Sequence, residues 1–319
     1  MLSSSKQFRW RGYGAALVSV IGLAACTSYS PTGGYMPGTE ADSKGNAATV
    51  GMTSSAAKDA LHADNTFTGQ LGSEYYALSS LSNSRSQHTD ADYFARKSLA
   101  SSKGQTTLPE PNNNWGVPGE ASTGIRTEME QQRQRLVAAL DGGARDKYPV
   151  LAAQTQARYD CWVASSEANL DIEYRGECRK VFMSNICDLE VLLHPPGPFL
   201  AYFDWNVRTL SPEAQQIVKQ AADKILQCGT ARTKLVGWAD TSGTAPYNMT
   251  LSDDRAQSTK QALTGDGMAA TRIDITAMGE TNLPVSTPDG VREPKNRVVK
   301  IYAEVPQDVA SGRSTPPIR

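Results

Sequence analysis

The feature that most constrains the fold of this chain is an alternation of short apolar runs and helical patterns after residue 195. The prolines of HPPGPFL precede this region and mark a boundary between structural units. Beyond them come, in order, FLAYFDW, SPEAQQIVKQAADKILQ, TKLVGWA, SDDRAQSTKQALT, RIDITAM and NRVVKIYAEV. Short apolar runs indicate strands, whereas apolar residues spaced by three and four indicate helices. The sequence therefore predicts strand, helix, strand, helix, strand and strand over residues 195–305.

Two serines mark the predicted helix starts in this region. Ser211 precedes a proline and a glutamate, and Ser252 precedes two aspartates. Serine is a favoured N-cap residue, and acids in a first turn lie at the positive end of the helix dipole. We therefore expect the two helices to begin directly after these serines.

The opposite end of the chain has the pattern of an export signal. Three cations lie within the first eleven residues, an apolar run follows, and Cys26 ends the run. The run is shorter than the roughly 20 residues that cross a bilayer, which is typical of a signal peptide. The segment LAAC resembles the bacterial lipobox, which implies removal of residues 1–25, lipid on Cys26 and, with Thr27 rather than an aspartate next, the outer membrane. The alternative is an ordinary secretory peptide cleaved nearby, with Cys26 incidental.

Export implies an oxidising compartment, in which disulfides form. With Cys26 assigned to lipid, Cys161, Cys178, Cys187 and Cys228 remain, and an even number permits two bridges. A bridge between Cys161 and Cys178 would close a helical hairpin. The pair Cys187 and Cys228 stays open, because both can equally be small buried apolar residues. No cysteine pair has zinc-finger spacing and the three histidines are scattered, so we predict no metal site and no cofactor.

The chain between its ends divides by composition. Residues 26–57 are rich in Ser, Thr, Gly, Pro and Ala, which predicts a flexible linker. Residues 58–189 have helical spacing and predict a helical domain of unknown role, with a hairpin formed by YYALSSLSN and DADYFARKSLAS. Residues 306–319 predict a disordered tail. The formal net charge of -1 gives no whole-chain attraction to nucleic acid.

Four separated motifs in residues 195–305 resemble the OmpA-like peptidoglycan-binding domain family. YFDWNVRTLSPEA resembles the opening strand and helix start, and ADTSGTAPYNMTLSDDRA resembles the signature of an Asp, a Gly-containing turn, an Asn, Leu-Ser and Arg-Ala. MGETNLP is similar to the Gly-x-x-x-x-Pro loop of the family, and KNRVVKI to its closing strand. The resemblance implies an α+β chain whose C-terminal domain is βαβαβ(α)β with a small mixed sheet.

The resemblance also implies a set of binding residues. In the family, the residues that match Asp240 and Arg255 bind diaminopimelate of the peptidoglycan stem peptide, with an acid for the ammonium and a bidentate guanidinium for the carboxylate. The other implied pocket residues are Asn206, Asn248, Leu251, Asn296 and Arg297. The alternative is that Asp240 caps its turn, Arg255 pairs with nearby acids, and Asn248 only fixes the loop.

These observations leave two main hypotheses about function. The first is a lipid-anchored, non-enzymatic protein on the periplasmic face of the outer membrane that binds peptidoglycan and ties the membrane to the wall. The second is an envelope assembly protein whose helical domain recruits a protein partner, while the OmpA-like domain only localises it. An exposed apolar patch on the helices would favour the second. An enzyme acting on peptidoglycan is disfavoured, because no general base or oxyanion donor is evident beside Asp240 and Arg255.

Overall fold

The computed structural model describes residues 47–61, 64–111, 122–166, 172–228 and 231–315. The predicted signal peptide, the lipidation site Cys26 and most of the predicted linker lie outside the described residues. All described residues belong to one structural unit. No helix in these ranges is both long enough and apolar enough to cross a membrane.

The first half of the described chain is helical. Its helices are α1 (Ala47–Asp59), α2 (Phe67–Ser84), α3 (His88–Ser102), α4 (Ser122–Ala139), α5 (Arg145–Lys147), α6 (Pro149–Ala164) and α7 (Ile172–Leu193). A π-helical turn joins α4 to α5. Helices α2 and α3 pack as the predicted hairpin, and α1 packs against α3 with Ala57 buried. The linker assignment is therefore wrong for residues 47–57, which belong to helix α1 and bury Ala57 against a neighbouring helix.

The core of the helical region includes a cluster of aromatic rings from α6 and α7. The rings of Tyr159, Trp162 and Phe182 contact one another with centroid separations of 5.3–6.1 Å. The disulfide between Cys161 and Cys178 joins the same two helices beside these rings. The predicted bridge is confirmed, and it closes a helical hairpin.

The second half forms the predicted α+β domain. Its elements are β1 (Phe199–Tyr202), α8 (Pro212–Leu226), β2 (Arg232–Gly237), α9 (Ala245–Gly265), β3 (Ile273–Ala277) and β4 (Val298–Glu304). The strand order is β1-β4-β2-β3, with β2 and β3 parallel and both pairs that contain β4 antiparallel. Both helices pack on this small mixed sheet, so the predicted fold class is confirmed.

Of the two predicted helix starts, one is confirmed and the other is wrong. Ser211 caps α8 as predicted, with its Oγ accepting from the Ala214 backbone at 3.2 Å. Ser252 is not a cap, because α9 begins at Ala245, two turns earlier, with a proline in its first turn. The Ser252 side chain is buried within α9, and its Oγ accepts from the Gly279 backbone at 2.9 Å. The predicted start was wrong because a turn-rich composition concealed the first two turns of the helix.

The predicted disorder of residues 306–319 is wrong for the part that the structure describes. Gln307–Ala310 form a short helix, α10, and Val309 and Ala310 are buried. The Gln154 side chain also donates to the Gly312 carbonyl at 3.1 Å. The segment is ordered because it buries two apolar side chains against the helical region.

A second disulfide connects the two halves of the chain. It joins Cys187 of α7 to Cys228, two residues after α8 ends. Cys187 and Val191 pack into the core of the α+β domain, although both belong to a helix of the other half. The pairing that the sequence left open is thus formed, and it fixes α7 against the α+β domain.

Candidate functional site

The candidate site lies where the chain leaves β2 and returns as α9. At Gly237, the last residue of β2, an added Cβ would lie 2.5 Å from the Ser252 carbonyl oxygen. Only glycine permits so close an approach of helix backbone to strand. This contact places Arg255, on α9, beside Asp240, which follows β2 by three residues.

Six of the seven predicted binding residues line one small cavity of about 40 Å³. These six are Asn206, Asp240, Asn248, Leu251, Arg255 and Arg297. The lining is completed by four residues that were not predicted: Trp205, Ser242, Gly243 and Tyr247. Residues separated by as many as 92 positions in sequence, from Trp205 to Arg297, therefore form a single pocket.

Asn296 is the predicted residue that does not belong to this lining. It is fully buried, accepts from the Val285 backbone N–H at 2.8 Å and donates to the Val285 carbonyl at 2.7 Å. An asparagine that bonds both backbone groups of one residue holds a loop in place. Its assignment as a binding residue is therefore corrected to a structural one.

Arg255 is a buried cation held by backbone carbonyls. Its side chain is inaccessible to solvent, and it donates to the carbonyls of Asp204 at 2.9 Å, Val207 at 2.9 Å and Trp238 at 3.3 Å. A guanidinium has five N–H groups, so these three bonds leave two for a ligand. Burial lowers the pKa of Arg255 to about 10, against the opposing influence of Asp240, so the side chain remains cationic at neutral pH.

Asp240 makes its direct ion pair with Arg297. The Arg297 Nη1 donates to Asp240 Oδ2 at 3.1 Å, and the Ser242 hydroxyl donates to Asp240 Oδ1 at 2.6 Å. Asp240 is only 4% exposed. The pocket thus contains one carboxylate and two guanidinium groups, a balance that favours a ligand carrying a carboxylate.

Two loops form the remaining walls of the pocket. Thr241 anchors one of them, donating to the Pro288 carbonyl at 2.7 Å and accepting from the Val291 backbone at 3.0 Å. Asn206 lies in the other with a φ of 57°, a conformation that asparagine tolerates better than most residues. The hydroxyl of Tyr247 donates to the Asn206 side chain and so ties this loop to α9.

The residues that could hold a metal ion are dispersed. Within the described ranges, no group of three or more histidines, cysteines, aspartates or glutamates has a metal-binding arrangement.

The α+β domain is similar to known proteins. The model of the OmpA family matches residues 202–297. An outer membrane protein of Gluconacetobacter diazotrophicus is 39% identical over 113 residues, which are 34% of this chain and 30% of that protein. Outer membrane protein A of Bordetella avium is 34% identical over 100 residues, 31% of this chain and 52% of that protein.

A third relative extends the comparison to another kind of bacterium. Peptidoglycan-binding protein ArfA of Mycobacterium bovis is 34% identical over 95 residues, 29% of this chain and 28% of that protein. The chain thus spans about half or less of the length of each of these relatives. The residues that the family model matches include α8, β2, α9, β3 and the whole lining of the pocket, whereas β4 and most of β1 lie outside them, and residues 202–297 of this chain match the OmpA family.

Proposed function

We propose that this protein binds peptidoglycan non-covalently and, anchored by lipid at Cys26 on the periplasmic face of the outer membrane, ties that membrane to the cell wall. The observation that carries the proposal is the convergence of a buried acid, Asp240, and a buried guanidinium, Arg255, on one cavity. The name of the mycobacterial relative, a peptidoglycan-binding protein, supports the same activity.

The proposed ligand group is the outer end of diaminopimelate in the stem peptide. This end carries one ammonium and one carboxylate on the same carbon, a zwitterion that ordinary peptide bonds lack. The two N–H groups that Arg255 has not committed to backbone carbonyls would grip the carboxylate. The carboxylate of Asp240 would accept from the ammonium, sharing its charge with Arg297.

Anchoring requires only weak individual sites. Hydrogen bonds to charged groups contribute about 1.5–3 kcal/mol each, so two or three of them give modest affinity. The wall is a polymer with many copies of the stem peptide, and a lipid-anchored protein meets them at high effective concentration. Many weak contacts along one membrane would then hold it to the wall without a covalent bond. The proposed role therefore requires binding alone, and we propose no enzymatic activity.

The alternative, a scaffold whose helical region recruits a protein partner, has less support. Among the described residues of the helical region, Leu108 is the one large apolar side chain that is exposed. A single exposed leucine is ordinary for a soluble surface and forms no patch. Recruitment through residues 58–189 therefore remains the second hypothesis.

Co-sedimentation with isolated diaminopimelate-type sacculi tests the proposal. The protein used is residues 27–319, because the bridge from Cys187 to Cys228 would be broken in the isolated α+β domain. Asp240→Asn and Arg255→Lys are compared with Asp274→Asn and Arg232→Lys, which alter an exposed ion pair of the same domain. We expect the parent and both control variants to sediment and the two pocket variants to stay in solution.

A second arm needs no variant, so it stands even if a pocket variant fails to fold. Free meso-diaminopimelate should release the parent protein from sacculi in a concentration-dependent manner. Sedimentation of folded pocket variants at the level of the parent, together with no release by the free amino acid, would refute the proposed site.

A further inference from the structure

Exposed apolar side chains are concentrated around the mouth of the pocket. Seven large apolar side chains are exposed among the described residues, and five of them, which we call the apolar rim, belong to residues that line the pocket or that are joined to pocket residues by the chain or by backbone hydrogen bonds. The apolar rim consists of Trp205, Val207, Tyr247, Met249 and Val291.

Each member of the apolar rim is tied to the pocket by position. Trp205 and Tyr247 line the cavity itself, and Met249 follows the pocket residue Asn248. The Val207 carbonyl accepts from Arg255, and the Val291 backbone donates to the residue after Asp240. Two members of the rim therefore line the charged site itself, and the other three belong to chain segments next to it.

The central member of the rim, Trp205, is held in place while half of its surface stays open. Its indole N–H donates to the Ser242 hydroxyl at 3.1 Å, and the Arg292 guanidinium lies 3.8 Å from the centre of its ring. The side chain is still 48% exposed. A ring fixed at one edge and one face, yet open to solvent, loses little conformational entropy when it binds a ligand.

Tyr247, the other aromatic residue that lines the pocket, is held in a similar way. Its hydroxyl donates to Asn206 and accepts from Arg208 at 3.3 Å, and the Arg208 guanidinium lies 5.6 Å from its ring centre. Its exposed fraction is 39%. The pocket is thus flanked by two ordered aromatic rings, each accompanied by an arginine with hydrogen-bonding capacity.

Such surfaces are suited to ligands with both apolar and polar groups. Exposed apolar patches rimmed by polar side chains mark binding sites, and aromatic rings contribute large contact areas. A pyranose ring has one face of C–H groups and an edge of hydroxyl and acetamido groups. We propose that the apolar rim, with Trp205 at its centre, binds a sugar of the peptidoglycan glycan strand, an inference that rests on the proposed function of the pocket.

The covalent structure of the ligand brings a sugar within reach. Two amino acids and a lactyl group separate diaminopimelate from the glycan. At roughly 3.3–3.6 Å per extended unit, this connection spans about 10 Å. With diaminopimelate in the pocket, the first sugar is therefore within reach of the residues that surround the pocket mouth.

Two ligands that differ only in the sugar test the inference. The parent protein is titrated with the disaccharide tetrapeptide and with the same tetrapeptide lacking sugar. We expect the parent to bind the disaccharide form about threefold to tenfold more tightly. Trp205→Ala should remove most of this preference, whereas Leu108→Ala and Tyr202→Ala, which truncate the two exposed apolar side chains outside the rim, should keep it.

The outcomes separate the two proposals. Equal affinity of the parent for both ligands, or equal weakening of both by Trp205→Ala, would overturn the sugar site while leaving the diaminopimelate pocket in place. Binding of neither ligand by the parent would refute the proposed function and the inference with it. Saturation-transfer NMR on the parent, which needs no substitution, should show transfer from aromatic protons to the sugar C–H protons, and transfer to the peptide alone would contradict the proposal.

Discussion

Arg297 donates to Asp240 at 3.1 Å, whereas Arg255 donates to three backbone carbonyls. Asp240 and Arg255 are the two residues predicted to bind the charged groups of one ligand. The two guanidinium groups therefore have different tasks. Arg297 compensates the buried acid in the absence of ligand, and Arg255 presents its two remaining N–H groups to the cavity. Arg297 thus pairs with the buried carboxylate of Asp240 without using the donors that a ligand carboxylate needs.

Arg297→Gln is expected to destabilise the domain. Both partners of this pair are largely buried, with side-chain exposures of 12% and 5%, and removal of one leaves the other uncompensated. Such a change typically costs about 3–5 kcal/mol. Urea unfolding should show this loss, while Arg232→Gln, which breaks an exposed pair, should change the free energy of unfolding by less than about 1 kcal/mol. Equal effects of the two substitutions would contradict the assignment of Arg297.

Gly237→Ala is expected to separate the acid from the base. The new Cβ would meet the Ser252 carbonyl at 2.5 Å, so α9 must move away from β2. We expect a loss of about 1–3 kcal/mol in the free energy of unfolding, together with weaker sedimentation with sacculi. Gly124→Ala, a helix position where an added Cβ meets nothing within 4 Å, should leave both measurements unchanged or slightly improved. Unaltered sedimentation by Gly237→Ala would show that the spacing of strand and helix does not set the pocket.

The bridge between Cys187 and Cys228 should contribute more stability than the bridge between Cys161 and Cys178. The separations are 41 and 17 residues, which correspond to about 4 and 3 kcal/mol by loop entropy. Paired serine substitutions of each bridge, measured by urea unfolding, compare the two directly. We also expect α7 to become accessible to limited proteolysis when only the bridge between Cys187 and Cys228 is removed, because that bridge fixes α7 to the α+β domain. A larger loss of unfolding free energy on removal of the bridge between Cys161 and Cys178 would contradict this order of the two contributions.

The helical region contains a buried acid whose charge should make its stability depend on pH. Asp160 accepts from Lys97 at 2.8 Å, from the Tyr75 hydroxyl and from the Glu110 backbone at 2.8 Å, and Lys97 also pairs with the Glu110 carboxylate. Burial is the largest influence on Asp160 and raises its pKa to about 6, although Lys97 opposes the shift. One cation faces two carboxylates in this cluster, so one of the acids retains a proton at higher pH than usual.

The sign of the effect follows from proton linkage. In the unfolded chain an aspartate titrates near 3.9, so between about pH 4 and 6 the folded state holds a proton that the unfolded state has released. The contribution of Asp160 is therefore complete below about pH 4 and is lost as the pH rises through 6. We expect the free energy of unfolding of the parent, relative to Asp160→Asn, to fall by about 2 kcal/mol across this window. A difference that stays constant from pH 4 to 7 would refute the raised pKa.

The order of strands and helices in the α+β domain could be predicted because each element carries its own hydrophobic period. The strand order in the sheet and the early start of α9 could not, since both depend on contacts with other elements. Ser252 has the sequence context of a helix cap, yet its hydroxyl serves the Gly279 backbone inside the folded domain. Local chemistry therefore located the elements, and tertiary packing decided their ends.

The candidate site shows the same division. Family resemblance selected Asp240 and Arg255, and the fold brings both to one cavity. Family resemblance could not reveal that Asn296 bonds the backbone of Val285 rather than lining the cavity, because binding a ligand and holding a loop use the same side-chain amide groups. Nor could it select Trp205, since an aromatic residue beside a strand is ordinarily buried and its exposure becomes evident only in the folded domain.

The most direct test of the diaminopimelate pocket compares two tetrapeptides that differ at one residue. One contains meso-diaminopimelate and the other contains L-lysine, whose side chain ends in the same ammonium but lacks the neighbouring carboxylate. Titration of residues 27–319 with each should give at least tenfold tighter binding of the diaminopimelate peptide, because Arg255 finds a partner only there. Equal affinity for the two peptides would show that Arg255 does not bind the diaminopimelate carboxylate and would contradict the proposed site.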